Sequence, residues 1–242
     1  MSRILVYSRT TGYRHSSIPA GIAALEKLGF EHGFEVEASE GVHSFRPGRL
    51  ERYDAIVFLS TSGTVLDGPG RSALTHYLKQ GGNWLGVHAA STTEYDWPWF
   101  EGLVGAWFDQ HPEIQPAVLT VEDHEHPATG HLGATWPRTD EWYAFRGNPR
   151  ERPGAENLRV LLTVDEATYR GGTMGADHPL AWCHEYGGGR SFYTALGHAE
   201  ETYRDPEFLA HLLGALRWLG VRPSAGLRAD PVEGRGAGGV EH

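Results

Sequence analysis

The residues of this chain best suited to proton-transfer or metal chemistry are histidines, and there are 14 of them. Three stand where apolar runs end. His15 follows "RILVYSR" and the loop "TTGYRH", His88 ends "GGNWLGVH", and His198 ends "SFYTALGH". Free imidazole titrates near pH 6.5, so each can serve as acid, base or metal ligand. His88 raises the sharpest question. Many α/β enzymes carry a Ser or Cys nucleophile at a strand-to-helix turn of the form Gly-x-nucleophile-x-Gly. Here that frame reads Gly86-Val87-His88-Ala89-Ala90. Histidine tolerates left-handed or bridge-region backbone better than bulky apolar residues do. A turn of this kind can therefore present its imidazole to a cleft, although imidazole suits acyl-enzyme chemistry poorly.

Other polar groups can reach the same place. Asp140-Glu141 offers two carboxylates, which also read as a solvated charge pair. His111, His126 and His178 can reach the same edge as well; His126-Pro127 and His178-Pro179 also read as turn starters. His15, His88 and His198 with Asp140 or Glu141 include enough N and O donors for a catalytic-type zinc site, which needs three protein ligands and an open position. Their spacing is long-range and carries no helical His-x-x-x-His signature. The aromatic run Trp97, Trp99, Phe100, Trp107, Phe108 reads either as core or as a wall on which a sugar ring packs.

Several elements must position these groups. "RILVYSR" (3–9), "FEVEASE" (34–40), "DAIVFLST" (54–61) and "NWLGVHA" (83–89) read as strands, the third covered on both faces. Helices lie between them. One starts near Ser16 or Ser17 with Pro19 in its first turn, and another starts at Pro69 and stops at Gly81-Gly82. Such alternation implies βαβ units and a parallel sheet, whose ligands bind beyond the carboxyl ends of the strands. The three histidines fall on that edge. Past Ser91 the pattern loosens: a short helix over 99–104, a strand over 117–123, a long polar stretch over 124–152 without regular structure, and a strand at "LRVLLTVD". A hairpin turning at Gly187–Gly189 and an amphipathic helix in "PEFLAHLLGALRWLG" close the pattern. We expect one domain over 1–221 and a disordered tail over 222–242, rich in Gly, Pro and Ala.

Composition narrows the function classes. A net charge of −10 argues against nucleic acid or an anionic membrane as partner. No apolar run reaches about 18 residues, and the N-terminus lacks a signal-peptide pattern, so a cytoplasmic location is expected. The single cysteine, Cys183, excludes an internal disulfide and a Cys-x-x-Cys metal site.

Taken together, "TTGYRH", "GGNWLGVHAAS", "WFEGLVGAWFDQHP", "HEHPATGHL", "DEWYAF", "HPLAWCHEYGGGRSFYTALGH" and "FLAHLLGALRWLG", in that order, resemble the ThuA-like trehalose-utilisation family over about residues 3–220. The resemblance implies a flavodoxin-like, class I glutamine amidotransferase-like three-layer sandwich with a mostly parallel sheet. The superfamily's Cys is replaced there by His, here His88, which implies loss of glutaminase activity. His15, His88, Asp140, Glu141, Tyr143 and His198 match the polar positions of the family motifs. The family implies a role with sugars or their 3-keto products, alongside an NAD-type sugar dehydrogenase as pathway partner. The expected chemistry is acid/base elimination on a keto-glycoside, with His88 or His15 as base, Glu141 as acid, and His198 in the same catalytic set. Asp140, Tyr143, His111, Trp97 and Trp99 are the expected substrate-binding residues. Two rivals remain: a non-catalytic sugar-binding protein, and a hydrolase using a zinc-bound water.

Overall fold

The structure, a computed structural model, describes residues 1–223. Its elements are β1 (Arg3–Tyr7), α1 (Ile18–His32), β2 (Glu35–Ser39), β3 (Ala55–Leu59), α2 (Gly68–Lys79), β4 (Asn83–Val87), α3 (Pro98–Val104), β5 (Phe108–Gln110), β6 (Gln115–Val121), β7 (Thr135–Asp140), β8 (Ala144–Phe145), β9 (Arg159–Val164), β10 (Pro179–Tyr186), β11 (Gly189–Thr194) and α4 (Pro206–Trp218). Apart from Arg222 and Pro223, the tail expected over 222–242 lies outside the described residues.

Nine strands form one sheet in the order β2-β1-β3-β4-β11-β10-β9-β6-β7. From β2 to β11 every pairing is parallel; from β11 to β7 every pairing is antiparallel. All of these strands except β10 and β6 therefore run in one direction, and the sheet is mostly parallel as expected. β5 and β8 pair apart from it.

Helices cover both faces, which gives the three layers. Successive strand side chains point to opposite faces. Phe58 stacks on Phe100 of α3 and packs edge-on against Trp84. Its neighbour Leu59 lies against Gly21 of α1. So α1 and α3 sit on opposite faces. α4 joins α1's face: Phe192 of β11 meets His211 of α4, while the next residue, Tyr193, turns to the other face against Phe145. The helix starts follow local chemistry. Asp67 accepts from Gly70 N at 2.8 Å and caps α2, and Asp205 accepts from Glu207 N at 2.8 Å and caps α4, each with a proline just inside. α1 departs from expectation. Ser17 sits at its N-cap but donates its hydroxyl to Gly197 O at 3.3 Å, tying the helix start to the loop after β11.

Two further departures bear on the site. The runs expected to extend through Arg9 and Thr61 leave the sheet after Tyr7 and Leu59 and become loops over its carboxyl edge. The stretch 124–152, expected to lack regular structure, contains β7 and β8. β7 is an edge strand paired on one side only, so its outward positions are polar or exposed and its sequence resembles a loop.

Candidate active site

β4 delivers His88. The chain leaves Val87 in extended conformation and turns at once into a 3-10 turn, His88–Thr92, with His88 at φ 51. This left-handed backbone is costly for a residue with a Cβ and is held by its surroundings. At the end of the adjacent strand Ser60 does the same, at φ 47. His88 is fully buried. Its Nδ1 lies 2.7 Å from Ala195 O. A carbonyl can only accept, so Nδ1 carries the proton and Nε2 presents a lone pair. That lone pair faces Tyr143 Oη at 3.0 Å, His15 Nε2 at 3.1 Å, His198 Nδ1 at 3.3 Å and Glu141 Oε2 at 3.4 Å.

β7 and the loop after β11 deliver the rest. Asp140, the last residue of β7, is 1% exposed and accepts from Glu141 N at 2.9 Å, Gly197 N at 3.0 Å and His198 N at 3.2 Å. One carboxylate thus sets the backbone that carries both Glu141 and His198. Gly197 stands at φ 116, where a Cβ would lie 2.7 Å from Tyr203 Oη, so only glycine makes this turn. Tyr143 is braced from behind by buried His178, whose Nε2 donates to Tyr143 O at 2.8 Å while Nδ1 lies 2.8 Å from Glu166.

Charge is distributed unevenly here. Burial alone would raise the Glu141 carboxyl, but hydrogen bonds with His15 and His198 outweigh it and hold the group well below the usual carboxylate range. Glu141 is an anion. Its hydrogen bond raises His198 above the ordinary imidazole value. Burial lowers His15, and Glu141 only partly offsets this. Tyr143 is pushed far up by burial and stays a neutral donor.

These groups close one end of a cavity of about 570 Å³, lined also by Gly12, Ser62, Gly63 and Thr92 on the polar side. Tyr13, Tyr95, Phe108 and the Tyr143 ring make its apolar walls. His15, Glu141, Tyr143, His198 and His111 border the cavity; His88 lies beneath them. His111 is 38% exposed, and its Nδ1 lies 2.8 Å from Pro112 O and 3.2 Å from Glu141 Oε1.

The structure brings His15, His88, His198, Glu141, Tyr143 and His111 together. It separates the others. Asp140 was expected to meet substrate, but all its contacts are backbone amides beneath the site. Trp97 and Trp99 were expected on the cavity wall and are not on it. Pro98 starts α3 between them, and the two indoles stack on each other at 4.8 Å, Trp97 under Arg71 and Trp99 against Tyr186. His126 accepts from Ala128 N in a local turn. Sequence reading missed Tyr13 and Tyr95 as wall residues. Tyr13 lies in the quoted "TTGYRH" loop, so its place beside His15 was the available signal; Tyr95 has none.

A family model described as ThuA, trehalose utilisation, matches residues 3–219. No curated protein matches the sequence. Among solved structures, the chain is similar to a ThuA-like protein from Bacteroides uniformis ATCC 8492, at 24% identity over 93% of this chain and 94% of that one, TM-score 0.76. It is similar also to a ThuA-like protein from Parabacteroides merdae ATCC 43184, at 21% identity over 95% and 94%, TM-score 0.71. A more distant likeness, 12% identical with TM-score 0.57, is to 32% of a β-galactosidase from Bacillus circulans sp. alkalophilus, with 92% of this chain covered. At these identities the likenesses show a shared fold.

Proposed function

The chain belongs to the ThuA, trehalose-utilisation family, and from that premise we propose that it is a carbohydrate-processing enzyme that cleaves a 3-keto-glycoside by elimination. The observation that carries this reading is the cavity itself. It has the volume of a small-molecule site, aromatic walls for a sugar ring, and a floor of imidazoles, a carboxylate and a phenol. A ketone at C3 acidifies the C2 proton. A base takes that proton, and the C2–H electron pair forms an enolate with the C3 oxygen. The carbonyl then re-forms, a C1–C2 double bond appears, and the C1–O bond breaks. The leaving oxygen takes up a proton. One base that returns its proton suffices, and no nucleophile is needed.

The groups suit different steps than those expected. His88 is sealed below the cavity, and His15, which borders it, has its Nε2 turned to His88 and Glu141. Glu141, held well below the usual carboxylate range, suits the acid role poorly. His111 fits the base role. Its Nδ1–H is engaged by Pro112 O and Glu141, which leaves Nε2 with the lone pair. Protonated at Nε2, it returns the proton to the leaving oxygen. Negative charge on the C3 oxygen would be met by His198, which Glu141 raises above the ordinary imidazole value. The ketone is supplied by an NAD-type sugar dehydrogenase acting at C3, the proposed pathway partner.

The test is turnover of C3-oxidised trehalose and related disaccharides against their unoxidised forms. We expect an unsaturated keto-sugar to accumulate from the oxidised substrates alone. His111→Ala is expected to lower kcat by about 10²–10⁴-fold with a smaller change in KM. Tight binding of the oxidised sugars with no product would replace this reading with a sugar-binding role.

A further inference from the structure

We propose that His15, His88, His198 and Glu141 form a binding site for one divalent transition-metal ion, with the cavity on the side where a fifth ligand would enter. One donor atom from each residue lies within 4.8 Å of all the others. Four of the six separations fall near where a shared ion would put them. With ligand bonds of about 2.0–2.1 Å, donors around a tetrahedral ion lie roughly 3.3–3.4 Å apart. Here His88 Nε2 is 3.1 Å from His15 Nε2, 3.3 Å from His198 Nδ1 and 3.4 Å from Glu141 Oε2. His198 Nδ1 is 3.1 Å from Glu141 Oε2, and His15 Nε2 stands 4.0 Å from the same oxygen.

Lone-pair accounting points the same way. The only proton a neutral His88 carries is given to Ala195 O, so its Nε2 lone pair faces an anionic oxygen and two further imidazole nitrogens in a buried space. Tyr143 O–H supplies one proton to this group. A single cation at their centre would engage all four donors at once. His88 has the surroundings of a metal ligand. Ligating histidines typically donate their other N–H to a carbonyl or carboxylate, as His88 does, and such outer contacts fix ring orientation. Asp140 fixes the backbone of two more ligands. The open side follows from burial: His88 is the floor, while His15, His198 and Glu141 border the cavity.

The donor set selects the kind of ion. Three imidazoles and one carboxylate, with no thiolate, suit Zn²⁺, Co²⁺, Ni²⁺ or Fe²⁺ over Mg²⁺ or Ca²⁺, which prefer oxygen ligands. The site stands without any assumption about substrate. Its role rests on the keto-sugar reading: on expanding to five-coordination the ion would take the C3 ketone oxygen and stabilise the enolate as a Lewis acid.

The experiment is titration of chelator-stripped, untagged protein with Co²⁺ and with Zn²⁺, followed by cobalt absorbance, calorimetry and thermal midpoint. We expect one equivalent per chain and a midpoint that rises with free metal. His88→Ala and, nearer the surface, His198→Ala should each weaken affinity by about 10²-fold or more, while His111→Ala keeps the equivalent. Folded wild-type protein that takes up neither ion stoichiometrically overturns the site, as does binding that survives both ligand substitutions. The two proposals fail separately. Elimination activity without metal uptake removes the ion and leaves the keto-sugar reading. Stoichiometric metal without sugar turnover does the reverse.

Discussion

Asp140 shows how one side chain sets the geometry of several others. Its carboxylate accepts from the amides of Glu141, Gly197 and His198 and meets nothing in the cavity. An amide side chain has a single acceptor oxygen and an NH₂ that would face these donors. Asp140→Asn is therefore expected to leave KM for sugar nearly unchanged, to lower kcat, and to weaken Co²⁺ binding by about 10–100-fold. Equal cobalt affinity in wild type and variant would remove the positioning role. The residue scale also answers why His88 stands at the turn. A nucleophile at such a turn needs access, and this side chain has none; its Nε2 instead meets neighbours from below. Nor is Cys183 placed to act as a nucleophile. It is 2% exposed on β10, and burial pushes its thiol up to about 12. A neutral buried thiol is a packing residue rather than a nucleophile. We expect no ammonia from glutamine, and reaction of Cys183 with a disulfide reagent only as the chain unfolds. Ammonia release abolished by Cys183→Ala would contradict this.

At the scale of elements, the site is a meeting of strand ends. The turn after β4 supplies His88, the loop beyond β1 supplies His15, the loop after β11 supplies His198, and the residue just past β7 is Glu141. The loop after β11 is the most exacting. Gly197 sits at φ 116 against Tyr203, accepts from Ser17 and donates to Asp140. A methyl group there strains the backbone and strikes the tyrosine hydroxyl. Gly197→Ala should cost about 1–3 kcal/mol. At this chain length each kcal/mol lowers the thermal midpoint by roughly 2–4 °C. Calorimetry checks it; an unchanged midpoint would mean the loop relaxes freely. α3 makes the opposite point. Its indoles resembled a sugar wall but serve as packing, so Trp97→Ala or Trp99→Ala should lower stability and spare sugar affinity.

The whole molecule carries a set of buried imidazoles that make it acid-sensitive. Burial lowers His126 to about 4, His184 to about 4 and His211 to about 3. In an unfolded chain each titrates near 6.5. Between those values the unfolded state binds more protons, so stability is complete above about pH 6.5 and falls as pH drops toward 4. For each imidazole, a tenfold difference in proton affinity between the two states is worth about 1.4 kcal/mol. Acid unfolding followed by tryptophan fluorescence should therefore begin below pH 6.5. His211→Gln, which can still donate to Ala128 O, should move the midpoint to lower pH. Coincident midpoints would remove His211 from the account. At this scale the sheet also has to bend. Strands lie about 4.8 Å apart, so a flat sheet would hold β7 roughly 19 Å from β11. Asp140 of β7 is nonetheless 3.0 Å from Gly197 N, just past β11. The antiparallel half therefore curls over the carboxyl edge, and no membrane-length apolar helix occurs among the described residues.

Local pattern alone determined the alternation of strands and helices in the first half, the hairpin at Gly187–Gly189, the closing helix, and the placing of His15, His88 and His198 on one edge. These follow from side-chain periodicity and from turn residues, which act over a few positions. The pattern also marked His88 as the residue at the nucleophile's turn. Only the tertiary structure decided which groups face the cavity and which lie beneath it. Edge strand β7 is polar on its outward side and hides in a loop-like sequence. The stacking of Trp97 and Trp99, the burial of His88 and the ionisation of Glu141 all depend on contacts between residues far apart in the chain. Curling of the antiparallel half, which brings β7 to β11, is a property of the assembled sheet and leaves no mark in any one segment.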